Sequence, residues 1–220
     1  SVLGFTRRII RSNNANLTEK QLDALETIER NGKHLLDVIN DLLDIARIES
    51  GKVELVSETV DLTLLLEDIR SCAEILAKNK AIQIEIHNFV TPSLIQTDPV
   101  KLRQILNNLL SNAIKYTEKG SVIIEAHLQQ TAHCYLVIAI RDTGQGIAAD
   151  LLPHLFERFN RLGLDNNSKI EGAGLGLTIV KGYVELLGGE IQVDSKLHAG
   201  STFTVKIPVS PADKRIDSVI

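Results

Sequence analysis

The sequence predicts an α+β protein: a helical hairpin first, then an α/β layer with helices on one face of a mixed sheet. Three observations predict it. Apolar residues from Leu25 to Ala46 recur at steps of three and four, the helical period. From Ile82 to Ile86 they alternate with polar ones, the strand period. Beyond that, helical and extended stretches follow one another with turn residues between them, an order that suits helices laid on a sheet. At 220 residues the chain has room for one large domain or two modest ones. The boundaries that the changes of period suggest are 1–55 for the hairpin, 56–208 for the α/β layer and 209–220 for a polar linker.

Leu17-Thr18-Glu19-Lys20-Gln21-Leu22 has the form of a helix start: Thr18 caps, Gln21 completes a capping box, and Leu17 staples onto Leu22. Leu25, Ile28, Gly32, Leu35, Ile39, Leu42 and Ala46 then form a heptad seam, which Leu22, Leu36 and Leu43 widen beyond that of a bare two-stranded coil. Glu49-Ser50-Gly51 ends the helix. Val2 to Phe5, with Ile9 and Ile10, reads as the tail of a preceding helix, joined through the polar loop Arg11 to Asn16. One hairpin cannot bury so broad a stripe. A second copy is the expected partner; packing on the rest of the same chain is the alternative.

After Lys52 the period changes. Val53 to Val60 reads as extended, Leu62 to Lys78 as helix, and Ile82 to Ile86 as a half-buried strand. Pro99 to Tyr116 is a long helix with Pro99 in its first turn. Val122 to Leu128 and Tyr135 to Arg141 form a hairpin, and a loop-rich stretch runs from Asp142 to Gly174. A helix to about Leu187, a turn at Gly188-Gly189 and two strands, Ile191 to Ser195 and Thr202 to Ile207, complete the layer.

Composition narrows the function classes. Apolar residues at 44% and charged ones at 24% belong to a globular chain and exclude disorder and collagen-like repeats. Net charge is −4 with neither sign clustered, which argues against a nucleic-acid or anionic-membrane face. No apolar run approaches the about 20 residues of a membrane span, and no signal peptide opens the sequence. Cys72 and Cys134, without a C-x-x-C pair, suit a reduced cytoplasmic setting and offer no metal framework. The absence of Met and the start at Ser1 mark a piece of a longer protein, whose membrane attachment stays open.

Three clusters carry chemistry. On the long helix, Asn108, Asn112 and Lys115 stand four and three apart and share one polar face, while Ile105, Leu109 and Leu110 cover another. Amide oxygens suit Mg²⁺ and an ammonium suits phosphate, although a solvated helix face would read the same way. The second cluster, Asp142-Thr143-Gly144-Gln145-Gly146-Ile147, sits at a strand end, where Asp142 offers a carboxylate to an exocyclic amine and the glycines admit close backbone approach. The third, Gly172-Ala173-Gly174-Leu175-Gly176-Leu177, runs into a helix whose N-terminus can hold phosphate; it is neither a P-loop nor a dinucleotide fingerprint. Between them, Phe156 and Phe159 read as core anchors beside Arg158 and Arg161, and polar Gly163 to Glu171 as a lid.

In this order, N-x-x-x-N-x-x-K, D-x-G-x-G, F-x-x-F and G-x-G-x-G resemble the N, G1, F and G2 boxes of the sensor histidine kinases of two-component systems. The stretch from Asn31-Gly32-Lys33-His34 to Ile48-Glu49-Ser50-Gly51-Lys52 is similar to the second helix of their dimerisation and phosphotransfer domain. The resemblance implies half of a dimeric four-helix bundle followed by the α/β-sandwich ATP-binding domain of the Bergerat type. It implies ATP and Mg²⁺ as cofactors, with Asn112 on the metal and Asn108 and Lys115 on the phosphates. Tyr116 would pack by the adenine and Asp142 would bind its amine. Gly144, Gly146, Gly172, Gly174 and Gly176 would shape the pocket and lid, with Ile147 and Leu175 in the same binding set. Arg161 would approach the γ-phosphate, and Thr202 of Gly200-Ser201-Thr202 would lie beside the adenine. The implied partners are a second copy through the hairpin and a response-regulator receiver domain.

Two departures matter. Ala173 stands where the family often has Thr. The family's acceptor motif, H-E/D-x-x-[TN]-P, does not occur in these residues. His34 falls on an outward position of the wrong helix and has no adjacent acid. The expectation is that the acceptor lies upstream of Ser1 and that these residues bind ATP without phosphorylating themselves. Two other functions compete: an ATP hydrolase like the type II topoisomerases and MutL-type repair proteins, and a nucleotide-dependent dimerisation scaffold. Hydrolases of that superfamily carry Glu at the position of Asn108, and an amide is no base at pH 7.

Overall fold

The computed structural model describes residues 2–12, 17–160 and 172–211. The chain divides into two compact units, Ser1–Ala46 and Arg47–Ile220.

The first unit consists of α1 (Val2–Arg11) and α2 (Glu19–Glu49), whose last residues from Arg47 count with the second unit. The capping box forms as its residues predict: the Thr18 backbone N–H donates to Gln21 Oε1 at 2.9 Å, and the Gln21 N–H to Thr18 Oγ1 at 3.4 Å. Leu3 of α1 fills the space at Gly32 of α2, its Cδ2 only 2.7 Å from where a β-carbon would stand. Arg7 and Lys33 both pair with Glu29, at 2.8 and 3.0 Å, and hold its carboxyl below the usual range. The apolar stripe is left bare. Leu35 is 61% exposed, Ile39 45% and Leu42 41%, and Ile45 alone of the α2 residues is buried.

The second unit contains β1 (Glu58–Asp61), α3 (Leu62–Ala77), β2 (Ala81–Asn88), β3 (Leu94–Thr97), α4 (Pro99–Tyr116), β4 (Lys119–Gln130) and β5 (Cys134–Asp142). A 3-10 turn at Leu152–His154, α5 (Gly176–Leu186), β6 (Glu190–Lys196), β7 (Gly200–Pro208) and β8 (Ser210–Pro211) complete it. Five strands form one sheet in the order β2-β4-β5-β7-β6, with β2 parallel to β4 and the other pairs antiparallel. Its inner face is written by period two. Ile124, Ile140 and Phe203 align across three strands, as do Ala126, Ile138 and Val205, and all are buried. On this face lie Leu65, Leu66 and Ile69 of α3, Leu102 to Ala113 of α4, and Ile179, Val180, Tyr183 and Val184 of α5. The opposite face carries Glu125, Arg141, Thr204 and Lys206, so helices cover one side only.

The structure differs from these expectations in two places. The stretch from Val53 to Ser57 is not strand, since pairing begins at Glu58, and the partner of that pairing, β3, has no sequence signal of its own: Leu94-Ile95-Gln96-Thr97 is too short to show a period. The polar linker does not begin at residue 209. Val209 is buried, its N–H donates to Cys134 O at 2.9 Å, and Ser210–Pro211 pairs with β3 to make a three-stranded sheet with β1. One apolar side chain in the right place extends the unit past the boundary that composition suggested.

Candidate functional site

Helix α4 starts where it must. Asp98 caps it, with Oδ1 accepting from the N–H groups of Val100 and Lys101 at 3.0 and 2.9 Å, ahead of Pro99 in the first turn. With Leu102, Ile105, Leu106, Leu109 and Leu110 turned to the core, the opposite stripe of Asn108, Asn112 and Lys115 faces outward, half-buried. Lys115 Nζ also lies 4.9 Å from the centre of the Tyr116 ring.

The third glycine cluster meets that stripe. A β-carbon at Gly176 would stand 3.0 Å from Asn108 Oδ1, and one at Gly172 would stand 2.6 Å from Lys115 Nζ. Gly172 has φ +144° and Gly174 φ +73°, so both need the freedom of glycine. Leu175, buried, leads into α5 without a side-chain cap, which leaves the first N–H groups of that helix available to an anion. The Phe159 N–H donates to Gly174 O at 3.1 Å, and Thr178 Oγ1 to Phe156 O at 2.9 Å. Backbone contacts therefore tie the F-x-x-F segment to this loop. As core anchors the phenylalanines fail: Phe156 is half-buried under Lys181, and Phe159, with φ +59°, is 59% exposed. Leu155 is the buried residue of that segment. Arg161 and the lid, Gly163 to Glu171, lie outside the described residues.

The second cluster closes the other side. Period two on β5 carries Leu136, Ile138, Ile140 and then Asp142 to the inner face, so a carboxylate takes the last core position. Asp142 is 6% exposed; its Oδ1 accepts from the N–H of Gly144 at 2.8 Å and of Ser201 at 3.3 Å. Burial pushes its carboxyl above the ordinary value, and those two N–H groups offset part of the rise. Gly144 leaves no room for a side chain: a β-carbon there would stand 2.5 Å from Tyr116 O and 2.9 Å from Thr117 Oγ1. Gly144→Ala should therefore cost about 1–3 kcal/mol of stability through overpacking, read as a lowered Tm in thermal unfolding. Gly146, at φ +65°, packs on the Lys196 backbone, and the Ile147 N–H donates to Ser195 Oγ at 2.8 Å.

Thr202 is not turned to the side of the sheet that holds Asp142. It aligns with Arg141 and Asp194, and adjacent strand residues face opposite ways, so Thr202 lies across the sheet from Asp142. Ser201 takes the place beside Asp142, and its Oγ lies 2.9 Å from Ser195 Oγ. Neither serine is among the residues that the sequence singles out, although alternation along 201, 203, 205 and 207 is a signal for Ser201. Nor is Thr117, which is fully buried with a hydroxyl unpaired among the described residues.

The amide and ammonium stripe of α4, the uncapped start of α5 and the buried carboxylate of Asp142 thus gather around two glycine segments, an arrangement whose chemistry suits a nucleotide. Comparison with known proteins agrees. The sequence model of the "Histidine kinase-, DNA gyrase B-, and HSP90-like ATPase" family matches residues 97–211, and that of the "His Kinase A (phospho-acceptor) domain" matches residues 1–51. The chain belongs to that ATPase family, in its branch of two-component sensor histidine kinases. It is 39% identical over 220 residues to the sensor protein GacS of Pseudomonas syringae pv. syringae, covering 97% of this chain and 24% of the relative. With the autoinducer 2 sensor kinase/phosphatase LuxQ of Vibrio harveyi the identity is 36% over 201 residues, 90% of this chain and 23% of the relative. The chain thus spans about a quarter of the length of these relatives. Full-length ShkA in complex with AMPPNP superposes with a TM-score of 0.79 at 32% identity, covering 96% of this chain and 43% of that one.

Proposed function

We propose that this chain binds Mg·ATP between α4 and the two glycine segments and serves as the kinase part of a two-component sensor. Its γ-phosphoryl group would pass to a histidine of the dimerisation domain and then to an aspartate of a response-regulator receiver domain. The observation that carries this reading is the meeting of Asn108 with Gly176 and of Lys115 with Gly172, each within about one atom's width of where a side chain would collide. Asn108 and Lys115 hold the phosphates, Tyr116 packs by the adenine, and Asp142 accepts from its amine. Gly144, Gly146, Ile147, Gly172, Gly174, Leu175 and Gly176 form the walls, and Arg161 reaches the γ-phosphate.

The donor set fits Mg²⁺. Asn112 supplies a hard amide oxygen on the phosphate stripe, and a cation shared with phosphates and waters needs no cage of protein ligands. Among the described residues no group of three or more His, Cys, Asp or Glu side chains gathers to build one. When bound, the ion neutralises phosphate charge and polarises the γ-phosphoryl oxygens. The chain's own share is positioning: α4 presents amide and ammonium in line, and the first turn of α5 directs N–H groups at the anion. Asn108 offers no base to activate water, so hydrolysis is disfavoured, and the complete set of boxes speaks against a bare scaffold.

Pairing of two copies through α2 is part of the same proposal, supported by the bare stripe. So are the boundaries 1–55 and 56–208, the second now carried through Pro211. No described helix is long and apolar enough to cross a membrane. His34 is exposed and lies outside any acceptor motif. Titration calorimetry tests the nucleotide reading. Mg·ATP should bind, and Asn112→Asp, which adds a negative charge beside the triphosphate, should lower affinity at least about tenfold, near 1.4 kcal/mol. Wild-type affinity in that variant would remove Asn112 from the site.

A further inference from the structure

We propose that Lys80 is a positioning residue for the nucleotide site, acting from outside it by fixing the C-terminal end of α4; this rests on the nucleotide-binding reading above. A helix leaves its last carbonyls without intrahelical donors. The usual remedy is a left-handed glycine just past the end, but Thr117 follows Tyr116 in an extended conformation, φ −104° and ψ 124°. Lys80, at the turn between α3 and β2, supplies the donors instead. Its Nζ donates to Ile114 O at 2.6 Å, Thr117 O at 2.9 Å and Lys115 O at 3.0 Å. An ammonium has three protons, and all three are used. The charge also stands at the negative end of the helix dipole.

What that helix end carries makes the contact functional. Lys115 places its Nζ 2.6 Å from where a β-carbon at Gly172 would stand, and Tyr116 O accepts the Gln145 N–H at 3.2 Å. Gly144 packs directly on the same Tyr116 carbonyl. The phosphate side and the adenine side of the site therefore join at three consecutive residues, 115 to 117, and one cation from another element holds their main chain. Lys80 reaches the nucleotide only through those carbonyls. Arginine is a poor replacement, since a planar guanidinium cannot converge on three carbonyls as an ammonium does.

The test measures Mg·ATP affinity by calorimetry for the wild-type chain, Lys80→Met, Lys80→Arg and Leu106→Ala, at a temperature where circular dichroism shows each folded. Leu106 lies on the buried face of α4, about two turns before the carbonyls that Lys80 holds, and serves as a matched loss of stability. Lys80→Met should bind about ten- to a hundredfold more weakly, the scale of a misplaced binding group, with Lys80→Arg between it and wild type. Leu106→Ala should keep wild-type affinity. Hydrogen exchange should show the Gln145 amide losing protection in Lys80→Met while those of Ile138 and Ile140 keep theirs. Wild-type affinity in Lys80→Met overturns the proposal, and so does an equal loss in Leu106→Ala, which would assign the effect to stability alone. Where Lys80→Met does not fold, Lys80→Arg decides: binding weaker by about threefold or more supports the proposal and wild-type affinity overturns it. A wild-type chain that does not bind Mg·ATP overturns the nucleotide reading itself, and the proposal with it.

Discussion

Asp142→Ala should weaken Mg·ATP binding by about 1–3 kcal/mol, roughly 5- to 150-fold, because it leaves a ligand amine unpaired in a buried site. The position magnifies the effect. Asp142 is 6% exposed and spends Oδ1 on the Gly144 and Ser201 N–H groups, so the carboxylate is held in one orientation by the backbone that also shapes the pocket. Its protonation gives a second readout. Burial raises the folded-state pKa above the ordinary 3.8. Its contribution to folding stability is therefore present below 3.8 and is lost as pH rises through the raised value. Nucleotide binding runs the other way, since the amine needs the ionised acceptor: affinity should fall as pH falls through that raised value. Asp142→Asn, which keeps an acceptor oxygen but cannot titrate, should bind weakly with no such pH dependence. Calorimetry across the acid range, with folding followed by circular dichroism, checks both statements. An Asp142→Asn variant that retains the wild-type pH profile would move the titrating group elsewhere.

Ile39→Glu should turn a dimer into monomers without changing nucleotide binding. Ile39 is 45% exposed in the single chain and lies between Leu35 and Leu42 on the bare stripe of α2. Contiguous exposed apolar side chains of this kind mark an interface. Truncating a large apolar side chain in a packed interior costs about 2–5 kcal/mol, and an introduced carboxylate adds the cost of burying a charge. The dissociation constant should rise about 30-fold or more. Sedimentation velocity over a range of concentrations measures it. A wild-type chain that stays monomeric at the highest concentration would show that the stripe has another partner. Loss of ATP binding in Ile39→Glu would show that the hairpin and the nucleotide site are not independent.

Local chemistry made much of this legible in the linear sequence. The capping box at Thr18 and Gln21, the proline in the first turn of α4, the helical period of α2 and the alternation along β2 each depend on residues close together in the chain, so spacing alone reveals them. The polar stripe of Asn108, Asn112 and Lys115 is visible for the same reason: on a helix, steps of four and three share a face whatever surrounds it.

Tertiary structure decided the rest, because the deciding partner is distant in sequence. Strand β3 exists through pairing with β1 and β8, and Val209 belongs to the core because Cys134 O receives its N–H. Alternation along β7 puts Ser201 and Thr202 on opposite faces, but only the pairing of β7 with β5 sets Ser201 opposite Asp142. Phe159 reads as a core residue by type, yet its backbone takes a left-handed turn to meet Gly174 and leaves the ring exposed. Lys80 has no motif at all. Its role is set by three carbonyls 34 to 37 residues away, brought within reach only when α3, α4 and β2 have packed. The sequence by itself determined which side chains could do the chemistry and which faces they share; long-range pairing, which fixes the chain to within the length of a hydrogen bond, determined which of them meet.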